Sequence, residues 1–379
     1  MRTFFLTGAT GFLGAYTVTR LLAADPGLRL TLLVRSRDTQ DATARLWRAL
    51  QLHLDADAFR AALSRLTLLP GDLHAPGLGL DAPTRARLVA TTDAVLHLAG
   101  ASDRQSAAAC FNTDLRGTLG VLTLARAIAD ARGLGRYAFL SSAAVSGRRP
   151  GAVVHEDTPL DWERADDTTH GRAKRLAEHM ARELLPEVPK LFFRPTIVMG
   201  DARFPETTQR DMVRAFCALA DLPALPLYPE ARLDIVNADW ASDVMAELIL
   251  APAPAHDTYH LSAGAAAQTT AEIARAVSAP AGRPARFVTP LARPFKAALD
   301  LAHRRRSSRA EPATAALLKT FLPDITGGTV FDNTRAVRAL GRAPTPFGAY
   351  CAPLYRWAKE VGFRYPYAPL PPAAPPEAR

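Results

Sequence analysis

The chain contains little cysteine and no long apolar run. Its three cysteines, Cys110, Cys217 and Cys351, lie far apart and show no metal-ligand spacing, which suits a reducing cytoplasm. No uninterrupted apolar stretch reaches the ~18 residues that a membrane-spanning helix needs. The N-terminus runs straight into the first predicted strand without a secretory signal. These absences predict a cytoplasmic protein that binds no metal ion.

Length and charge narrow the choice of function further. With 379 residues the chain is long for one compact core, so two lobes are expected. The 46 basic residues outnumber the 37 acidic ones and give a net charge of +9. Such an excess favours anionic partners, such as a phosphorylated cofactor or a substrate carrier, although much arginine also belongs to ordinary solvated surfaces. Nucleic acid is a poor candidate because no recognition motif accompanies the charge.

The most informative motif is a glycine turn directly behind the apolar residues 4–6. It reads Thr7-Gly8-Ala9-Thr10-Gly11-Phe12-Leu13-Gly14. In such a turn the first glycine permits a tight bend, the second lets backbone approach a pyrophosphate, and the third lets the next helix pack close to the strand. The residues expected to contact a dinucleotide are Gly8, Thr10, Gly11, Phe12, Leu13 and Gly14.

Strand-like and helix-like segments alternate after this turn. The alternation predicts an α/β protein with a doubly wound parallel sheet of the Rossmann type and helices on both faces. The predicted strands are residues 28–34, 66–69, 94–98, 137–140 and 190–193, and the clearest helices are residues 113–131 and 172–185. Beyond Gly200 prolines interrupt the rhythm, and residues 233–236 and 258–261 are predicted to return to the first lobe as strands.

These patterns predict two lobes and a tail. The Rossmann domain takes residues 1–200, with returning segments at about 232–262, and a smaller, mostly helical substrate lobe takes 201–231 and 263–365. Residues 366–379 are rich in proline and are expected to form a disordered tail. The apolar residues of this lobe have two alternative explanations, an acyl pocket or the lobe's own core. They are Phe204, Phe216, Leu219, Leu222, Leu225 and Leu227. The basic stretch 304–309 is typical of a membrane or carrier contact, or of a charged loop.

The residues after the second predicted strand indicate which dinucleotide is bound. NAD enzymes usually place an acid there to hold the ribose 2′-hydroxyl. This chain has Val34-Arg35-Ser36-Arg37 instead. Two guanidinium groups suit a 2′-phosphate, which they bind by charge-assisted bonds, although arginines also occur in ordinary surface loops. Arg35 and Arg37 therefore predict NADP(H).

The order of the motifs resembles the extended short-chain dehydrogenase/reductase superfamily. The resemblance covers about residues 1–363 and rests on TGATGFLG, GDL at 71–73, HLAG at 97–100, NTDLRGT at 112–118, LSSAAVSG at 140–147, RPTIVMG at 194–200 and LDIVNADW at 233–240. Within it, the chain resembles the thioester reductase and fatty acyl reductase branch, a male-sterility-like NAD(P)-binding group. That branch is indicated by Phe12-Leu13, by the Ala-x-x-Arg-Leu core at 42–46 and by GDLHAPGLGL at 71–80.

The resemblance implies an oxidoreductase that uses NADPH to reduce an acyl thioester, on coenzyme A or an acyl carrier protein, to an aldehyde or alcohol. A homodimer is compatible with it. Ser142 and Lys174 match the catalytic serine and lysine positions, and Lys174 is also implied to hold the nicotinamide ribose. The remaining implied cofactor contacts are Asp72, Leu73, Leu98, Ala99, Gly100, Asn112, Arg194 and Pro195.

The chain departs from the superfamily at one catalytic position. The family motif is Tyr-x-x-x-Lys, whereas this chain has His170 four residues before Lys174 and no tyrosine between Pro150 and Leu227. An imidazole can also donate a proton or a hydrogen bond. Lys174 is expected to depress its pKa and favour a neutral ring that still bonds through one N–H.

Three interpretations of His170 remain open: it replaces the tyrosine, the chemistry needs no tyrosine, or catalysis is lost and cofactor binding kept. Three functions follow. The first is a thioester or aldehyde reductase. The second is an extended-family dehydrogenase or reductase of a sterol-like or hydroxy-ketone substrate. The third is a nucleotide-binding regulatory or scaffold protein without turnover.

Overall fold

The computed structural model describes residues 2–278, 285–298 and 328–372, apart from residues 105, 167 and 296. The strands within these residues are β1 (Thr3–Thr7), β2 (Arg29–Val34), β3 (Leu66–Pro70), β4 (Ala94–His97), β5 (Arg136–Leu140), β6 (Val153–Val154), β7 (Lys190–Pro195), β8 (Ile197–Val198), β9 (Arg232–Leu233), β10 (Ile235–Val236), β11 (Thr258–Leu261), β12 (Gln268–Thr269) and β13 (Val330–Phe331).

The α-helices within the same residues are α1 (Phe12–Ala24), α2 (Thr39–Leu50), α3 (Ala56–Leu63), α4 (Ala82–Thr91), α5 (Ala107–Ala109), α6 (Thr118–Arg132), α7 (Thr169–Leu184), α8 (Arg210–Ala220), α9 (Ala238–Leu250), α10 (Thr270–Ser278), α11 (Thr334–Leu340) and α12 (Cys351–Glu360). A π-helical turn, Cys110–Gly117, joins α5 to α6. None of the helices in the described part of the chain is long and apolar enough to span a bilayer.

Seven strands form one parallel sheet in the order β3-β2-β1-β4-β5-β7-β11. Helices α1, α2, α3 and α9 cover one face, and α4, α6 and α7 cover the other. Successive residues of β1 therefore enter different cores, and both Phe5 and Leu6 are fully buried. The prediction of a doubly wound Rossmann fold is confirmed. The direction of winding reverses between β1 and β4, which is where such sheets bind ligands.

A buried histidine ties the two strands at this reversal together. His97 ends β4, and its Nδ1 lies 2.6 Å from Thr7 Oγ1 at the end of β1. Its Nε2 lies 2.9 Å from Thr118 Oγ1 at the start of α6. Burial lowers the pKa of His97 to about 3, so the ring is neutral. His97 is therefore a packing residue, and its two hydrogen bonds hold the ends of β1 and β4 and the start of α6 together.

Two predicted elements are interrupted in the structure. The predicted strand 233–236 consists of β9 and β10, which are separated by Asp234. The buried Asp234 carboxylate accepts hydrogen bonds of 2.8 Å from the Thr196 and Ser262 hydroxyls and from the backbone N–H of Ala263. The predicted helix 113–131 begins as the π-helical turn and becomes regular only at Thr118.

The second lobe has an apolar core of its own. Helices α8, α10 and α12 supply half of its buried side chains. Leu219, Leu225 and Leu227 are buried in this core, and Phe216 and Leu222 pack against it. These residues therefore form the core of the lobe, which accounts for their apolar character without an acyl pocket. The basic stretch 304–309 lies outside the described residues.

Residues 366–372, which the sequence assigns to a disordered tail, run along α2. Trp47 Nε1 donates to the carbonyl oxygen of Ala368 at 2.8 Å, and the N–H of Ala368 donates to Gln51 Oε1 at 2.9 Å. These bonds carry Tyr367 to the glycine turn, where it lines a pocket. Residues 373–379 lie outside the described residues.

The glycine turn lies in close backbone contact with the loop after β4 and with the start of α1. Gly8 has a φ of +86°, and a Cβ there would lie 2.5 Å from the N atom of Ala99. A Cβ on Gly14 would lie 2.0 Å from the carbonyl oxygen of Gly8. Helix α1 therefore packs against the turn at a distance that only glycine permits.

We expect Gly14→Ala to reduce the free energy of unfolding by roughly 1–3 kcal/mol, because the added methyl group overlaps backbone that has no room to move. Gly11→Ala is the matched control. Gly11 has a φ of −80° and its Cβ would approach Gly8 O no closer than 3.3 Å, so its stability should stay near that of the wild type. Denaturant unfolding measures both, and equal stability of the two variants would contradict this packing.

Candidate active site

The candidate site lies beyond the carboxyl ends of β1, β4 and β5. Three segments meet there: the loop after β4, the π-helical turn before α6, and the first two turns of α7. A π-helical turn shifts the following side chains relative to a regular helix, and such turns are frequent at functional sites. Here it brings Asp114 against α7.

Asp114 is the residue that joins these three segments. Its side chain has no exposed surface. Asp114 Oδ1 accepts a 3.0 Å hydrogen bond from the N–H of Ala101 and lies 3.4 Å from Lys174 Nζ. Asp114 Oδ2 lies 3.1 Å from His170 Nδ1. Gly100 leaves room for this arrangement, because a Cβ there would lie 3.3 Å from both Lys174 Nζ and Asp114 Oδ1.

Burial and mutual charge set the protonation of the three groups. Burial alone would raise the pKa of Asp114, but the charge of Lys174 and the bonds from His170 and Ala101 hold it well below its ordinary value. Burial lowers the pKa of His170 to about 4, although Asp114 opposes the shift. Burial likewise lowers the pKa of Lys174 against the effect of Asp114. The depressed pKa of His170 was predicted, but its main cause is burial rather than Lys174.

Lys174 is fully engaged by its surroundings. Its Nζ donates to the carbonyl oxygen of Leu140 at 2.9 Å and lies 3.5 Å from that of Ala99. The ammonium also sits 4.7 Å from the centre of the Phe139 ring. The lysine thus holds the ends of β4 and β5 against α7, at the place where the sequence predicts the nicotinamide ribose.

The two serines after β5 have different tasks. Ser141 is buried, and its hydroxyl donates to Glu178 Oε2 at 2.9 Å. Ser142 is half-buried, and its Oγ accepts from the N–H of Ala144 at 3.2 Å, capping the short helical turn Ala143–Ser146. This bond leaves the hydroxyl proton of Ser142 available. The turn packs against Gly171, the neighbour of His170.

A pocket opens on the other side of the glycine turn. It has a volume of about 280 Å³, and its lining includes Thr10, Gly11, Phe12, Arg45, Arg48 and Tyr367. Helix α1 begins here, and the side chains around its start provide no N-terminal cap, so its first N–H groups have no capping side chain. The Arg48 guanidinium lies 4.1 Å from the centre of the Tyr367 ring. The pocket therefore offers N–H donors and positive charge to an anion.

The other predicted cofactor residues surround this end of the sheet. Arg35 and Arg37 follow β2 and are exposed, and Arg37 Nε lies 3.7 Å from an Asp41 oxygen. Asp72 and Leu73 follow β3, and Asp72 Oδ1 accepts from the N–H of His74 at 2.9 Å. Leu98, Ala99 and Gly100 follow β4, and Leu13 lies buried at the start of α1.

Two residues predicted to contact the cofactor bind other side chains in this structure. Asn112 accepts a 3.3 Å hydrogen bond from Arg116, and Asp114 rather than Asn112 reaches Lys174. Arg194, next to Pro195 at the end of β7, is buried and binds both oxygens of Glu178. The Arg194 guanidinium is thus committed to a buried ion pair.

Cys110, Asp114 and His170 each offer a ligand atom within 4.8 Å of one another. A metal ion would nevertheless meet the Lys174 ammonium, which already balances the charge of Asp114. Burial also raises the pKa of the Cys110 thiol to about 11, whereas metal binding needs a thiolate. The cluster is better suited to holding and moving protons than to binding a metal ion.

Sequence reasoning misses Asp114, Arg45, Arg48 and Tyr367. Asp114 stands two residues from Asn112, and only the π-helical turn decides which of them faces Lys174. Arg45 and Arg48 are three apart on α2, a spacing that places them on one helix face and is a usable signal. Tyr367 carries no signal, because its segment reads as a proline-rich tail.

A family model described as "Male sterility protein" matches residues 6–245. Among curated relatives, nonribosomal peptide synthetase asaC of Aspergillus flavus is 27% identical over 270 residues, which are 68% of this chain and 26% of that protein. Fatty acyl-CoA reductase wat of Drosophila melanogaster is 25% identical over 246 residues, 57% of this chain and 46% of that protein. The chain thus spans less than half of either relative.

A solved structure agrees over nearly the whole chain. The terminal R domain from the myxalamid PKS-NRPS biosynthetic pathway superposes with a TM-score of 0.79 at 24% identity, covering 96% of this chain and 92% of that domain. This likeness confirms the fold. The family match confirms the predicted resemblance to the male-sterility-like, NAD(P)-binding branch.

We expect Arg194→Leu to cost roughly 3–5 kcal/mol of stability while leaving NADPH affinity unchanged, because it leaves the Glu178 carboxylate buried without its main partner. Arg182→Leu is the control. Arg182 bonds the same carboxylate at 3.3 Å but is one-third exposed, so its loss should cost about 1 kcal/mol or less. Thermal unfolding and nucleotide titration measure the two effects. A stable Arg194→Leu protein that no longer binds NADPH would instead make Arg194 a cofactor ligand.

Proposed function

The chain belongs to the male sterility protein family, and on that premise we propose that it is an NADPH-dependent reductase of acyl thioesters. The observation that carries this proposal is the position of Ser142, His170 and Lys174 beyond the ends of β4 and β5, next to the glycine turn at the reversal of the sheet. The product is an aldehyde, or an alcohol after a second reduction.

The residues present fit a phosphorylated dinucleotide. Uncapped N–H groups at the start of α1 suit a pyrophosphate, and Gly11 leaves its approach open. Four arginines, Arg35, Arg37, Arg45 and Arg48, stand at or near this end of the sheet and suit a 2′-phosphate. When bound, NADPH supplies the hydride.

A thioester substrate is supported by the relatives. One is named a fatty acyl-CoA reductase, whose substrate is a thioester of coenzyme A, and another is named a nonribosomal peptide synthetase. The positive charge of the chain suits a phosphate-bearing carrier such as coenzyme A or an acyl carrier protein. We therefore propose a carrier-bound acyl group as the substrate.

The chain's own residues would bind the reacting carbonyl and move protons. The Ser142 hydroxyl has a free proton to donate to the carbonyl oxygen, which gains charge as the hydride arrives. His170 exchanges a proton with the same oxygen. Lys174 stays bound to Asp114 and the strand ends, and its charge balances that of Asp114.

A second function is favoured by one observation. The neutral His170 beside Asp114 is a proton acceptor, which also suits oxidation of an alcohol. That chemistry belongs to an extended-family dehydrogenase of a sterol-like or hydroxy-ketone substrate. The same depressed pKa of His170 is compatible with a nucleotide-binding protein that has no turnover.

We expect the protein to bind NADPH more tightly than NADH. Replacing Arg35 and Arg37 by alanine should weaken NADPH about tenfold or more and leave NADH nearly unchanged, because only NADPH carries the 2′-phosphate. Nucleotide fluorescence titration measures both affinities. Arg87→Ala on α4 is the control, since it removes an exposed arginine away from the turn. Equal affinity for the two nucleotides would remove the arginine argument.

We expect NADPH oxidation with palmitoyl-CoA or a palmitoyl acyl carrier protein, with aldehyde or alcohol detected by mass spectrometry. Activity on ketones alone would support the second function. Tight NADPH binding without turnover on either class would support the regulatory one.

The His170→Ala variant tests the role of His170 in the same assay. Its rate should fall on the order of 10²-fold or more with little change in NADPH affinity, as loss of a proton-transfer group does. Unchanged turnover would make the imidazole a bystander.

A further inference from the structure

The hydrogen bond between His170 and Asp114 fixes which ring nitrogen carries the proton. Asp114 is ionised, because Lys174 and the N–H of Ala101 both stabilise its negative charge. An ionised carboxylate only accepts hydrogen bonds. The nitrogen that faces it at 3.1 Å, His170 Nδ1, must therefore be the one that carries the proton. In the neutral ring, Nε2 is then left with a lone pair.

In this arrangement a neutral His170 does not use its N–H to bond a substrate. That N–H is committed to Asp114. The group left for the substrate is an acceptor, the reverse of the tyrosine hydroxyl at this position in the superfamily. A buried carboxylate that orients a histidine in this way is the general logic of acid–base dyads.

We propose that Asp114 is a positioning residue that holds His170 in the Nδ1–H form, so that His170 Nε2 removes the hydroxyl proton of the tetrahedral adduct as the thiol is expelled. The role of this proton transfer in thioester reduction rests on the proposed function. The tautomer itself does not.

The proton balance of this step is complete. Hydride addition gives the alkoxide R–CH(O⁻)–SR′, which takes up one proton from solvent water and becomes R–CH(OH)–SR′. His170 Nε2 takes the proton of its hydroxyl group, the C=O bond re-forms, and the C–S bond breaks with its electron pair on sulfur. The imidazolium then returns the proton from Nε2 to the thiolate. The products are an aldehyde and a free thiol, and His170 is neutral again.

The charged and titratable groups that face His170 come from three segments. Asp114 and Cys110 lie on the π-helical turn, Arg104 lies in the loop before α5, and Lys174 is one turn along α7. Lys174 and Arg104 disfavour the imidazolium and Asp114 favours it. The short turn Ala143–Ser146, which packs on the start of α7, has no ionisable side chain. The neutral ring is therefore the resting form at neutral pH, and the imidazolium formed in the step readily gives its proton up.

Nitrogen-15 NMR of ring-labelled histidine tests the tautomer without any substrate. His170→Gln assigns the His170 signals by their loss. We expect a protonated Nδ1 and an unprotonated Nε2 between pH 6 and 8, with titration only well below pH 6. An Nε2–H tautomer, or an imidazolium at pH 7, would overturn the proposal. This measurement uses the wild-type protein and so does not depend on how Asp114 variants fold.

Turnover of Asp114→Asn tests the role in catalysis. Asparagine can donate to Nδ1 and so permits the other tautomer, and kcat with palmitoyl-CoA should fall about 10²-fold or more with the KM for NADPH within about twofold. Asp103→Asn is the control. It removes a nearby exposed charge that accepts a hydrogen bond from the N–H of Ser106, and it should keep wild-type kcat.

The two measurements separate this inference from the proposed function. Thioester turnover that is equal in wild type and Asp114→Asn would overturn the role of Asp114 and leave the reductase function standing. The Nδ1–H tautomer with no thioester turnover would refute the reductase function and retain the positioning of His170 by Asp114.

Discussion

The site depends on one buried carboxylate. Asp114 has no exposed surface, yet it stays ionised because Lys174, His170 and the N–H of Ala101 surround it. A buried charge is costly unless it is paired in this way, so each of these groups holds the others in place. The loop after β4, the π-helical turn and α7 are joined through this single side chain.

Two hydrogen bonds of the neutral His97 side chain support the same region. His97 bonds to threonines at the end of β1 and the start of α6, so the strand ends on both sides of the sheet reversal are fixed. The glycine turn then closes against the loop after β4 through backbone contact at Gly8. Together these contacts hold the glycine turn and the Asp114 cluster at the same edge of the sheet.

Much of the fold could be predicted because it follows from local patterns of apolar and polar residues. The alternation of strands and helices gave the doubly wound sheet, and β11 was predicted with its observed bounds. The breaks were harder. Asp234 divides a predicted strand whose two halves pair with different partners, β9 with β12 and β10 with β8, and its carboxylate accepts hydrogen bonds from residues distant in sequence. The ordered part of the C-terminal segment depends on bonds to Trp47 and Gln51, some 300 residues away.

The sequence by itself determined the family, the glycine turn and the spacing that puts His170 and Lys174 on one face of a helix. It could do so because these features rest on short motifs with a fixed local geometry. Only the tertiary structure decided that Asp114 rather than Asn112 faces them, and that Arg194 is bound to Glu178. The physical reason is that side-chain direction near a π-helical turn, and the pairing of buried charges, are set by packing between segments. Neither is encoded in the spacing of residues along one segment.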